Sequence, residues 1–245
     1  MRKLFLLLLI VTAIIFNACK KSTDVLAVAS VNEYYPLQVG KYVTYNLDST
    51  IFINFGTAQS IVSYQVKQQV DGLITDNLGR PAYRITRYIR KTAANAWASD
   101  NSFMAVPTDF AIEFIENNMR FLKLKGPIRN GYTWKGNSYI DTYSLNSNVK
   151  YLADWDYTYD STNVSQTIGT FRLDSTLKVK QRDEIIGNPN DVNSYSEINV
   201  GTEKYAKSIG LVYRNFLHVE YQPPTPGRGG YRQGYGVKMT MIDHN

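Results

Sequence analysis

Cysteine and histidine are nearly missing from this chain of 245 residues, which has one Cys and two His. Thiolate zinc sites, multi-histidine metal centres and disulfide frameworks all require more ligands or thiols than that. Alternation puts His218 mid-strand on a face with Phe216 and Glu220, and His244 is the penultimate residue. No G-x-S-x-G elbow occurs. A serine or cysteine nucleophile would therefore lack the neighbouring base that activates it. We expect no catalytic residue, no metal and no cofactor. Helical periodicity is scarce as well, with no window holding a 3.6-residue period for more than about ten residues. Long apolar runs are confined to the N-terminus. With 44% hydrophobic and 20% charged residues, the chain suits neither disorder nor a polytopic membrane protein.

The N-terminus begins with Met1-Arg2-Lys3 and continues with the apolar run Leu4–Phe16. Thirteen helical residues reach about 20 Å, short of a hydrocarbon core of about 30 Å. A basic start before an apolar stretch of this length reads as an export signal over residues 1–18. Phe16-Asn17-Ala18-Cys19 then sets a small residue before the one thiol. This stretch resembles the lipobox of bacterial lipoprotein precursors, and the following Lys20-Lys21-Ser22 is similar to many Bacteroidota examples. The resemblance implies cleavage before Cys19, acylation of that cysteine, and anchoring in the outer membrane on a side left open. Cleavage after Ala18 leaving a free thiol, and an uncleaved anchor, are the alternatives. Residues 19–32 would serve as the tether, and residues 33–245 as one folded domain.

Alternation with a period of two recurs along that domain. It is clearest at Val43–Leu47, Val62–Val70, Tyr83–Arg90, Phe110–Phe114 and Arg120–Lys125. It returns at Val149–Tyr159, Gly169–Arg182, Leu211–Gln222 and Gly236–Ile242. Turn formers such as Asp71-Gly72, Asn130-Gly131 and Gly187-Asn188-Pro189-Asn190 punctuate the runs. The pattern predicts an all-β fold: one antiparallel domain with a curved sheet and little helix, as a barrel, half-barrel or open sandwich. Tyr195–Ser208 reads as helix or edge strand. Pro223–Gly236 holds five Gly and three Pro and reads as a long hairpin loop.

A second resemblance lies in Tyr34-Tyr35-Pro36-Leu37-Gln38-Val39-Gly40 and in Tyr205-Ala206-Lys207-Ser208-Ile209-Gly210-Leu211-Val212. Both look like segments of an uncharacterised, β-rich group of Bacteroidota lipoproteins with a "YfPL-x-x-G" opening. The resemblance implies a secreted β-scaffold and supplies no catalytic residue.

Three clusters could still carry chemistry. Asp154 and Asp156, flanking Trp155, would share a strand face and could meet a sugar or a cation. They lack the glycine and the distal glutamate of a calcium loop, and a solvated strand face backed by Trp155, Tyr157 and Tyr159 is the favoured reading. Arg84, Tyr88 and Arg90 would share one face of a strand, opposite Tyr83, Ile85, Arg87 and Ile89, and could grip an anionic glycan or headgroup. Arg228, Tyr231, Arg232 and Tyr235 would form a binding loop in the glycine-rich segment. Nineteen tyrosines otherwise fit strand packing. The expected function is non-catalytic binding or scaffolding at the cell envelope. Partners would be the membrane through the N-terminal lipid and a glycan, lipid or envelope protein; nucleic acid is excluded by export and dispersed charge. The alternative is an apolar-ligand carrier using the concave side of the sheet, with an envelope glycoside hydrolase a distant third.

Overall fold

The computed structural model describes residues 29–245. The expected export signal, and Cys19 with it, lie outside the described residues. Twelve strands follow in order. They are β1 (Tyr42–Ile53), β2 (Ala58–Thr75), β3 (Pro81–Arg90), β4 (Ala98–Pro107), β5 (Ala111–Glu116) and β6 (Met119–Lys125). Then come β7 (Thr133–Lys135), β8 (Asp156–Ile168), β9 (Phe171–Gly187), β10 (Ser196–Ala206), β11 (Gly210–Gln222) and β12 (Tyr231–His244). Two short 3₁₀ turns, η1 (Val31–Glu33) and η2 (Lys150–Leu152), are the only helical pieces among the described residues. None is long or apolar enough to cross a membrane.

The strands form one antiparallel sheet in the order β6-β5-β4-β3-β2-β1-β12-β11-β10-β9-β8-β7. The last strand returns to the first, pairing Leu47 with Met239 and Ser49 with Val237. A sheet this wide must curl, and it comes close to closing as a barrel. Its free edges, β6 and β7, are stitched by few bonds. Leu122 N donates to Gly136 O at 2.8 Å, and Trp134 Nε1 donates to Leu122 O at 2.8 Å. Tyr159 Oη donates to Lys125 O at 2.9 Å across the same seam. The all-β expectation therefore holds, and the architecture is the nearly closed barrel rather than the sandwich.

Consecutive antiparallel strands place their connections alternately at two ends. One end is filled. The segment before β1 folds under it, with Val31 and Tyr34 buried among Ile112, Leu124, Tyr159, Leu177, Tyr205 and Leu211. Ser30 caps η1 reciprocally with Glu33 in a capping box. Ser208 N donates to Glu33 O at 2.7 Å, and Lys207 pairs with Glu33 at 2.6 Å. The packed floor thus starts ahead of residue 33, and the last residues of the expected tether belong to the fold. The other end holds the β1–β2, β3–β4, β5–β6, β9–β10 and β11–β12 turns and the long loop between β7 and β8.

Several strand expectations change in detail. Tyr195–Ser208 is resolved as strand β10, hydrogen-bonded to β9 and β11 on both sides, so it is central and not an edge. The Val149–Tyr159 run becomes η2, then Asp154 at φ 58°, then strand from Asp156. Phe110 falls outside β5 and is 73% exposed, whereas Glu113 is buried. Opposite them β6 bulges at Lys123, so that Ile112 pairs with Leu124 and Glu113 with Leu122. Pro223–Gly236 is a loop only as far as Gly230, because β12 begins at Tyr231. Glycine in that strand reflects close approach: a Cβ on Gly234, at φ 116°, would lie 2.1 Å from His218 O. Strand β4 has no counterpart among the expected runs, since Ser99-Asp100-Asn101-Ser102 breaks the apolar alternation.

Candidate functional site: the barrel interior

Above the packed floor the barrel encloses a cavity of about 340 Å³, lined from strands all round the sheet. Its wall is built by the period-two rule. Strand β1 contributes Leu47 and Ser49; β2 contributes Tyr64, Val66 and Gln68; β3 contributes Arg87 and Ile89. Across the barrel, β11 contributes Arg214 and Phe216, and β12 contributes Tyr235, Val237 and Met239. Register aligns these in tiers, with Arg214 opposite Met239, Phe216 opposite Val237, and His218 opposite Tyr235 toward the turn-rich end. Tyr151 and Leu152 of η2, with Trp155, reach across from the β7–β8 loop. Tyr151 Oη lies 3.3 Å from Tyr235 Oη, and Trp155 Nε1 donates to Tyr151 O at 2.6 Å.

The lower wall is charged. Arg214 Nη1 donates to both oxygens of Glu116 at 3.0 and 3.2 Å. Lys123 Nζ donates to Glu203 at 2.6 Å, and Tyr205 Oη donates to the other oxygen of Glu203 at 2.6 Å. Arg87 pairs with Asp100 at 2.5 Å. Burial pushes the Glu116 carboxyl up, but Arg214 and Lys123 outweigh it and hold Glu116 below the usual carboxylate range. Burial works against the Arg214 charge, and Glu116 and Glu203 override it, so the guanidinium is held protonated. A carboxylate kept ionised by arginine cannot supply the proton that a glycosidase acid must deliver. Two donors find no acceptor: Arg214 Nε and Gln181 Nε2. Glu203 Oε1 stands 3.7 Å from Arg214 Nε, beyond hydrogen-bonding reach.

The expected site residues are distributed over three places. Arg84, Tyr88 and Arg90 do share one face, and it is the outer one. Arg84 Nε donates to Asp71 at 2.8 Å, and Arg84 borders a shallow outer groove with Asn101, Met104 and Asn118. Arg90 lies over the Trp97 ring at 4.2 Å and donates to Gln65 at 2.9 Å. Lys67 stands over Tyr88 at 5.0 Å and Trp97 at 5.6 Å. At the turn-rich end, Arg228 stacks on Tyr231 at 3.8 Å and Arg232 lies over Tyr221 at 5.0 Å. Tyr235 alone of the seven lines the cavity, stacked on Phe216 with centroids 5.0 Å apart. Asp154 and Asp156 do not share a strand face: Asp154 accepts from Tyr143 Oη at 3.0 Å, and Asp156 pairs with Lys135 at 2.9 Å. Among the described residues, no group of three or more His, Cys, Asp or Glu is arranged to hold a metal.

Lys123, Gln181 and Arg214 escaped the sequence reading. The signal that could have found such positions was present for Arg87, whose alternation with Ile85 and Ile89 sends it inward.

No protein-family model matches the chain, and no curated protein matches it. Among solved structures it is similar to a Bacteroides fragilis protein described as a "putative exported protein with YmcC-like fold". The identity is 11%, the TM-score 0.43, and the match covers 88% of this chain and 100% of the other.

Proposed function

We propose that this chain is an exported, lipid-anchored binding protein of the bacterial outer membrane that takes a small amphipathic molecule into its barrel. The observation that carries the reading is the interior cavity of about 340 Å³, walled by apolar and aromatic side chains above a few charged ones. Ligand sites are typically concave, mostly apolar and oriented by a small number of polar groups, at about 300–1,000 Å³. The volume is at the small end, which suits a single-chain ligand. This choice favours the carrier over a scaffold, because a scaffold needs no hollow core. The paired state of Glu116, Asp100 and Glu203 favours binding over hydrolysis. Anchoring rests on the sequence Phe16–Cys19 and the basic and apolar stretch before it.

Two measurements test the reading. The neutral fluorescent probe phenylnaphthylamine should bind the full chain saturably. Ser49→Trp, which puts bulk into the cavity wall, should weaken that binding by about tenfold or more. Equal binding by the filled variant would place the probe elsewhere and sink the cavity reading. Separately, Cys19→Ala should abolish palmitate labelling, and retained labelling would dismiss the anchor.

A further inference from the structure

Exposed apolar side chains are unevenly placed on this barrel. Among the described residues, the large ones toward the floor end are Val39, Leu73, Leu78 and Phe110, and the rest stand toward the turn-rich end. The extreme case is Phe55, at the tip of the β1–β2 hairpin, which is 99% exposed. Asn54 and Phe55 sit at φ 52° and 56°, and Gly56 N donates to Ile53 O at 3.0 Å. Two successive positive φ values mark a tight hairpin turn whose second position is normally glycine. Asn tolerates the left-handed region, but a bulky phenylalanine there is an outlier. Neither the backbone nor water favours a phenyl ring at this place, and strain of this kind gathers at functional sites.

The rest of the hairpin says what the ring meets. From Ser49 to Val66, both strands and the turn carry no Asp, Glu, Lys or Arg, and Ile51, Ile53 and Ile61 are exposed below the tip. Charge is costly to carry into an acyl layer, and this segment has none. The β9–β10 hairpin differs: it exposes Ile185, Ile186 and Val192 beside Asp183, Glu184 and Asp191. The β1–β2 turn also supplies partners to its own polar groups. Thr57 N and Oγ1 donate to Asn54 O at 3.2 and 2.8 Å, and Arg232 N donates to Gly56 O at 2.8 Å. Backbone that enters lipid needs such internal partners. Next to the tip, Arg228 and Arg232 are exposed, and their guanidiniums complement anionic headgroups.

The chain ahead of the barrel has the reach for this. Ala29 packs at the floor end, and residues 19–28 extend to at most about 33–36 Å. The twelve residues of β1 rise about 40 Å along the strand, or roughly 30 Å along the axis of a tilted barrel. A lipid on Cys19 and the tip at Phe55 can therefore share one bilayer.

We infer that the β1–β2 hairpin docks on a lipid bilayer, with Phe55 seated where headgroups meet acyl chains and Arg228 and Arg232 on the headgroups. The turn-rich end of the cavity then faces the membrane. The inference is independent of what the cavity holds.

The test sets one fluorescent thiol label at the tip and one at the floor. The full chain carries Cys19→Ala, which removes the native thiol, with either Thr57→Cys or Asp109→Cys, and is incorporated into vesicles of phosphatidylethanolamine and phosphatidylglycerol. The label at position 57 should be quenched by lipids bearing a nitroxide near the headgroup and shielded from aqueous iodide. The label at position 109 should show the reverse. Phe55→Gly and Phe55→Asn both suit the left-handed backbone, so their urea midpoints should be no lower than the parent's. Both should nevertheless lose most of the nitroxide quenching at position 57. Quenching at 57 no stronger than at 109, or full quenching kept by both variants, would overturn the inference. Shielding from iodide without nitroxide quenching would overturn it as well, because a protein surface or a second copy would then cover the tip. None of these outcomes touches the cavity, which phenylnaphthylamine tests separately.

Discussion

Tyr151 lies flat on His218, their ring centroids 3.8 Å apart and the planes inclined by only 10°. The same tyrosine meets Phe216 edge-on at 6.3 Å. This contact pins η2 across the upper end of the cavity, so the state of His218 bears on how firmly that loop is held.

His218 is the titrating group in that contact. Burial lowers its pKa from 6.5, more than Glu220 and Glu197 raise it. Its Nδ1 lies 2.8 Å from Asn199 Oδ1, with Glu197 at 3.8 Å from Nδ1 and Glu220 at 3.6 Å from Nε2. Because the folded pKa lies below the unfolded one, the unfolded chain binds the proton more readily. The stabilisation from neutral His218 is complete above the ordinary value and is lost as pH falls through the lower folded value. Urea unfolding from about pH 7.5 to about pH 5 should show the wild type losing stability relative to His218→Gln. A constant difference between the two would refute a neutral, buried His218.

Gly201 should not tolerate a side chain. The added Cβ of Gly201→Ala meets Trp155 and Gln181 below 3.0 Å. Overpacking of this kind costs about 1–3 kcal/mol. Denaturant unfolding should show that loss together with weaker probe binding. Wild-type stability in the variant would mean that Trp155 and Gln181 are free to move away.

The Lys123–Glu203 pair is buried, with side chains 6% and 1% exposed. Lys123→Met leaves the Glu203 carboxylate with only Tyr205 and the more distant Arg214 guanidinium, 3.7 Å away, and breaking such a buried pair costs about 3–5 kcal/mol. Adding Glu203→Gln should restore most of the loss, because no uncompensated charge then remains. A double variant no better than Lys123→Met alone would show that the pair acts through packing instead.

Acid stability should depend on Asp76, in the β2–β3 turn at the floor end. Hydrogen bonds from Arg80 hold its carboxyl down to about 2 from 3.8, against the upward push of burial. Arg80 Nη2 donates to Asp76 at 2.7 Å and to Glu113 at 2.7 Å, tying the turn to β5. A lowered folded pKa stabilises above the unfolded value and stops doing so as pH falls through about 2. Asp76→Asn should therefore be less stable than wild type at neutral pH and should close the gap as acid is added, read by circular dichroism. A gap that persists undiminished at low pH would rule the ion pair out as its source.

Much of the wall was legible in the residues because alternation is local. Val43–Leu47, Val62–Val70 and Leu211–Gln222 could be read as strands with one apolar face. The opposition of Arg84, Tyr88 and Arg90 to Arg87 and Ile89 was legible for the same reason. What alternation leaves open is which face turns inward once a sheet curls. The arginine–tyrosine face therefore looked as eligible for binding as its opposite, yet it lies outside. Where alternation is interrupted, at the polar start of β4, at the β6 bulge opposite Ile112 and Glu113 and at Asp154, the local pattern misleads. The polar patch of the lower wall was less visible still. Gln181, Glu203 and Arg214 come from three strands, and only their lateral pairing makes them neighbours.

By itself, the sequence determined the all-β class, the antiparallel pairing and the packing role of most tyrosines, because a period of two is written into consecutive residues. The scarcity of Cys and His also ruled out whole kinds of chemistry before any fold was known. Only the tertiary structure decided that β12 returns to β1, that the sheet curls until β6 and β7 nearly meet, and that the interior stays hollow above a floor sealed by Val31 and Tyr34. Curvature and closure sum small twists over twelve strands, and a cavity is volume left unfilled between residues far apart in the chain. Neither has a signature in any short window of sequence.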